Sequence, residues 1–117
     1  MTATMTARAV LLLIAAGAGV APAPVAHAAD VMVVPSELWD RPRTGRAVLD
    51  TPSVRRAVQL LLARPNATLI IHHGRGQEPQ LAAEELRAWL VALAVEAARV
   101  SLNNDLQSNE LRLEVTP

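Results

Sequence analysis

The apolar positions of this chain come in runs, stripes and alternations that divide it into a greasy beginning and six further segments. Residues 9–16 form an unbroken apolar run behind Arg8, and small residues and prolines then lead to Ala26-His27-Ala28. Residues 31–34 are a short apolar run with three valines, stopped by Pro35, which predicts a buried or edge strand. Residues 36–50 have no period. They mix Trp39, Pro42 and Gly45 with charges at Asp40, Arg41, Arg43 and Arg46, and read as an irregular connection with a turn of helix around residues 37–39. Thr51 then stands directly before Pro52, an N-cap residue followed by the residue best tolerated at the first helical position. The helix this predicts spans 52–63. Val54, Val58, Leu61 and Leu62 lie on one face, Arg55, Arg56 and Gln59 point away, Arg64 suits the negative end of the helix dipole, and Pro65-Asn66 closes the helix.

Thr68-Leu69-Ile70-Ile71 is too short for a helix and is flanked by turn residues, so it predicts a central strand covered on both faces, with residues 72–76 as the loop at its carboxyl end. A second helix is predicted over 80–93, with Leu86, Trp89, Leu90 and Leu93 on one stripe and Glu84, Glu85 and Arg87 turned to water. Residues 95–99 make a tight connection into a strand at 100–102. Asn103-Asn104-Asp105 reads as a turn, with a loop up to Asn109. Strict alternation over 110–115 predicts a strand with one wet face. The expected fold class is α/β in the order β-α-β-α-β-β, with two helices packed on one face of a mixed sheet of about four strands.

Positive charge, apolar run and a small-residue cleavage site, in that order, make residues 1–28 a predicted cleaved signal peptide. Its apolar stretch falls short of the ~20 residues of a membrane-spanning helix. Residues 29–117 are then a single small domain, with 29–50 holding the first strand and the Arg/Trp loop and 51–117 the main α/β unit. The expected address is the periplasm, with no stable membrane span after cleavage. The chain has no cysteine, which excludes disulfides and thiolate metal sites. Once Arg8 is removed, ten arginines face eleven carboxylates, and Trp39 and Trp89 are the only aromatic residues. That balance argues against nucleic acid as a partner, because such binding rests on a basic surplus and stacking platforms.

Leu60-Leu61-Leu62-Ala63-Arg64-Pro65-Asn66-Ala67-Thr68-Leu69-Ile70-Ile71-His72-His73-Gly74, followed by Trp89-Leu90, Ala94-Val95 and Arg99-Val100, resembles the helix, proline turn, strand and second-helix ending of the OmpA-like periplasmic domain. The resemblance covers residues 47–115. It implies an exported, peptidoglycan-associating module without catalytic activity. That family clamps the diaminopimelate of the cell-wall stem peptide with a loop aspartate and an arginine on the second helix. Here residues 74–78 form a shorter loop without aspartate, and the helix offers either Ala82 or Arg87 at the arginine's place. A second small exported α/β module, of the BON-like sort, is a fold alternative because residues 100–106 resemble its final strand, but it needs two strands between its helices, and only one fits between Ala63 and Gln80.

Several residues are candidates for chemistry. His72-His73 suggests a metal site, but neighbours on a strand point to opposite faces, so a turn or structural role is the expectation and no metal or cofactor is assigned. Gly74-Arg75-Gly76 offers an anion cradle before a helix N-terminus. Arg75, Arg87 and His73 are the candidate ligand-binding residues. Trp39, Arg41, Arg43 and Arg46 form a candidate interaction surface of a composition enriched at interfaces. Glu78, Glu84 and Glu85 read as a charged helix face, with no nucleophile or histidine spaced to join them. The expected function is an exported cell-envelope docking module with weak peptidoglycan contact. The alternative is a protein–protein adaptor of an envelope or secretion assembly that has lost ligand binding, and a third reading is a histidine-based metal protein or hydrolase.

Overall fold

The computed structural model describes residues 29–117; the predicted leader, with His27, lies outside the described residues. Strand β1 (Asp30–Val34) leads through a 3₁₀ turn (Ser36–Asp40) to helices α1 (Gly45–Asp50) and α2 (Pro52–Ala63). Then come β2 (Leu69–Gly74), α3 (Gln77–Ala92), a second 3₁₀ turn (Ala97–Arg99), β3 (Val100–Leu106) and β4 (Leu111–Val115). The strands form one mixed open sheet in the order β1-β4-β2-β3. β4 runs antiparallel to both neighbours, and β2 and β3 are parallel, a pairing that requires the long crossover α3 supplies. The expected α/β architecture, two main helices on one face of a four-stranded mixed sheet, is what the chain adopts.

The alternation of β4 sends Leu111, Leu113 and Val115 inward, and the register sets them beside Val34, Ile71 and Leu69. Val54, Ala57, Leu60 and Leu61 of α2 and Ala83, Leu86 and Leu90 of α3 close over this face, all buried. α2 rests on β1 and β4, while α3 rests on β2 and β3. The opposite face carries no helix. Val31 and Val33 are half exposed there, beside Arg112 and Glu114.

The structure corrects several sequence expectations. Residues 45–50 are not irregular but form α1, because the Thr44 side chain accepts a hydrogen bond from Ala47 N–H at 3.0 Å and Val48 is fully buried. Thr51 does not cap α2 with its side chain; its hydroxyl donates back to the Ala47 carbonyl at 3.0 Å and so ends α1. Leu62 is exposed, and the buried stripe of α2 runs through Ala57 and Leu60 instead. Strand β2 continues through His72 to Gly74 and is covered on one face only, with Ile70 on the helix-free side. α3 starts earlier than its stripe suggested, with Gly76 as N-cap and Pro79 in the first turn, where a missing N–H costs nothing. Asn103-Asn104-Asp105 is not a turn but the second half of β3. Asn103 pairs with His72 and Leu106 with Gly74, so the turn-like Asn104 and Asp105 are carried in an irregularity of the strand at the solvent-exposed edge of the sheet.

Candidate binding surface

Strand parity separates the two histidines. His73 points to the helix side, buried, with Nδ1 2.7 Å from the Gly74 carbonyl. His72 points to the open side, where neighbouring strands bring it two carboxylates. Its Nδ1 lies 2.8 Å from Asp105 on β3, and its Nε2 lies 2.7 Å from Glu114 on β4. Partial burial works against the charged imidazole, but the hydrogen bonds to Asp105 and Glu114 and the charges behind them outweigh it, raising the His72 pKa above the ordinary histidine value. The hydrogen bond from His72 likewise holds the Asp105 carboxyl below its usual range. The two carboxylates occupy opposite edges of the ring, so they satisfy an imidazolium and do not converge on one ion. Among the described residues no three histidine or carboxylate groups are placed to hold a metal.

Gly74 ends β2 under a close contact. A Cβ there would stand 2.3 Å from the Ser108 carbonyl oxygen, so only glycine lets the 107–110 connection cross the strand end. Arg75 follows, exposed and without an ion pair or hydrogen bond among the described residues. Gly76 then opens α3 with no side-chain cap, and Glu78 is the only acid in the first turn. Arg87 lies elsewhere. Its guanidinium donates to the Val100 carbonyl at 3.1 Å and the Ala97 carbonyl at 3.0 Å, tying α3 to the beginning of β3. Val100 is level with Leu69 at the start of β2, whereas Arg75 follows its end, so Arg87 and Arg75 lie at opposite ends of the sheet. They do not form one clamp, and His73 joins neither.

The second group of candidates is divided as well. Arg43 is an internal anchor: its guanidinium forms a two-pronged ion pair with Glu85 on α3, donates to the Trp39 and Arg41 carbonyls, and stands 5.2 Å from the centre of the Trp39 ring. Trp89 Nε1 also donates to Glu85 at 3.1 Å. The Arg43 hydrogen bond lowers the Glu85 pKa; partial burial opposes the shift and the Trp89 bond assists it. Arg46 is exposed and reaches Asp50 at 3.8 Å, while Arg41 lines an open cleft of about 420 Å³ with Pro35, Leu38 and Pro42. On the other side of the 3₁₀ turn, Trp39, Arg43 and Glu85 line a groove of about 410 Å³ against α3, with Leu81 more than half exposed at its edge.

Neither a family model, nor a curated protein, nor a solved structure matches this chain. The site therefore has to be read from its own chemistry. Sequence reasoning missed Asp105 and Glu114. The alternation of residues 110–115 already placed Glu114 on a wet face, but the turn-like composition of 103–105 concealed the strand that carries Asp105. It also missed Leu81, which a stripe centred on Leu86 and Leu90 leaves facing outward.

Proposed function

We propose that this chain is an exported, non-catalytic docking module of the cell envelope, of OmpA-like type, that makes a weak contact to peptidoglycan through the loop where β2 gives way to α3. Arg75 carries this reading. It is an exposed, unpaired cation between two glycines, directly before an uncapped helix N-terminus whose free N–H groups and dipole favour an anion. The leader pattern of residues 8–28 supports an address where the carboxylates of cell-wall stem peptides are the abundant anions. The resemblance of residues 47–115 supports the same class of partner.

Co-sedimentation of the purified protein with protein-free sacculi tests the proposal. Retention at low salt is expected, with Arg75→Ala reducing it several-fold and Arg87→Ala leaving the Arg75-dependent contact in place. Sedimentation no greater than that of an unrelated domain overturns the peptidoglycan contact. Recovery of the protein from the cytoplasm with residues 1–28 still attached overturns the export.

The groove beside Trp39 favours a second reading, a protein adaptor that no longer contacts the wall. Such an adaptor is not retained by stripped sacculi but is held by envelope membranes that keep their proteins. Leu81→Glu, at an exposed position on the groove's edge, abolishes that retention.

A further inference from the structure

The two edges of the sheet differ in kind. The outer edge of β3 carries Ser101, Asn103, Asn104 and Asp105, all exposed, the sort of polar rim that discourages strand pairing. The outer edge of β1 has the sequence Asp30-Val31-Met32-Val33-Val34, with no lysine, proline or glycine inside the strand. Its inner edge is paired with β4 over all five residues. No other hydrogen bond from the described residues reaches its backbone, so among them its outward N–H and C=O groups have no partner. Val31 and Val33 are 57% and 50% exposed, and the one charge on the strand, Asp30, is already matched by Arg64 of the same chain at 2.9 Å.

From this edge we infer that the chain self-associates, with β1 of one copy pairing antiparallel with β1 of a second copy across a two-fold axis at Met32, so that two four-stranded sheets become one of eight. The occupant is a second copy because the register makes the edge complementary to itself. With Met32 opposite Met32, Val31 of each copy faces Val33 of the other, giving two β-branched cross-strand pairs on the helix-free face. Within each copy Val31 stands opposite Glu114 and Val33 opposite Arg112. Each row across the seam therefore reads Glu114, Val31, then Val33 and Arg112 of the second copy. Glu114 is already held by His72 and Arg112 by Glu110 within each copy, so the valine pairs are flanked by matched charges and no like charges meet across the seam. The contact is isologous and closes on itself, so it gives dimers and not fibres. The inference is independent of the Arg75 contact, although a dimer would present two such loops and gain by avidity.

Sedimentation of the purified protein over a concentration series tests this, with a concentration-dependent monomer–dimer equilibrium as the expected result. Replacing both exposed valines with lysine, Val31→Lys with Val33→Lys, sets like charges opposite each other twice and is expected to weaken dimerisation by about tenfold or more. The glutamate pair, Val31→Glu with Val33→Glu, is weakened in the same way. Mixing the two variants is expected to restore a heterodimer. Amide exchange of the unmodified protein gives a readout that needs no variant: protection of residues 30–34 rises with protein concentration. A monomer at all concentrations, a dimer indifferent to both charge variants, or exchange at β1 that does not change with concentration would each overturn the proposal.

Discussion

His72 illustrates how one residue depends on strands distant in sequence. Its ring is held between Asp105 and Glu114, residues 33 and 42 positions away. Because the folded-state pKa of His72 is raised, its contribution to stability is complete below the unfolded histidine value near ~6.5 and disappears as pH rises through the folded value. Asp105 works in the opposite sense. Its depressed pKa makes its contribution complete above the unfolded carboxylate value near ~4, and that contribution is lost as pH falls through the folded value. The interaction is therefore strongest between about pH 4 and 6.5. Thermal unfolding of His72→Gln beside the unmodified protein is expected to show a larger gap in Tm at about pH 5.5 than at about pH 8.5. An equal gap at both pH values would mean that the imidazolium is not held as described. Parity alone placed His72 and His73 on opposite faces, but nothing near them in sequence named the two acids.

At the scale of elements, helix stripes were readable and helix ends were not. The stripes of α2 and α3 emerged because burial repeats every three or four residues, although Leu62 and Ala57 exchanged places in the real packing. Arg64 was expected to serve the end of α2, but its side chain goes to Asp30. Arg99 serves it instead, donating from Nη2 to the Leu61 and Arg64 carbonyls at 2.9 and 2.8 Å and from Nε to the Ala67 carbonyl at 3.0 Å. Arg99→Ala leaves these carbonyls without their donor and is expected to cost about 2 kcal/mol in chemical denaturation, with Arg99→Lys recovering only part because an ammonium cannot reproduce the fork. The end of α3 is closed by two backbone bonds, Val95 N–H to the Leu90 carbonyl and Ala94 N–H to the Val91 carbonyl. That motif places Ala94 at φ 78°, a left-handed conformation that costs an alanine and not a glycine. Ala94→Gly is expected to stabilise the protein by roughly 0.5–1 kcal/mol after the greater freedom of glycine in the unfolded chain is subtracted, and an unchanged or lowered Tm would contradict this.

For the whole molecule, the consequential feature is that all the helices cover the same side of the sheet. The sheet is left with a wet face, two unlike edges and a strand end at Arg75. The class of fold was legible in the chain because each segment carries its own period: two for residues 110–115, about 3.6 for the two helices, and continuous apolar runs for β1 and β2. The dispersal of the candidate residues was not legible. Arg75 and Arg87 fall at opposite ends of the sheet, and Arg43 is drawn inward to Glu85, 42 residues away, instead of facing a partner. By itself, the sequence determined the places of the two main helices and the cores of the four strands, and the apolar side of α3 and β4, since those preferences act between residues a few positions apart. Only the tertiary structure decided the strand order, the extension of β3 over a turn-like stretch and the partners of Arg43, Arg64, Arg87 and Arg99. Those outcomes depend on hydrogen bonds and charges between segments that meet only after the sheet has closed against its helices.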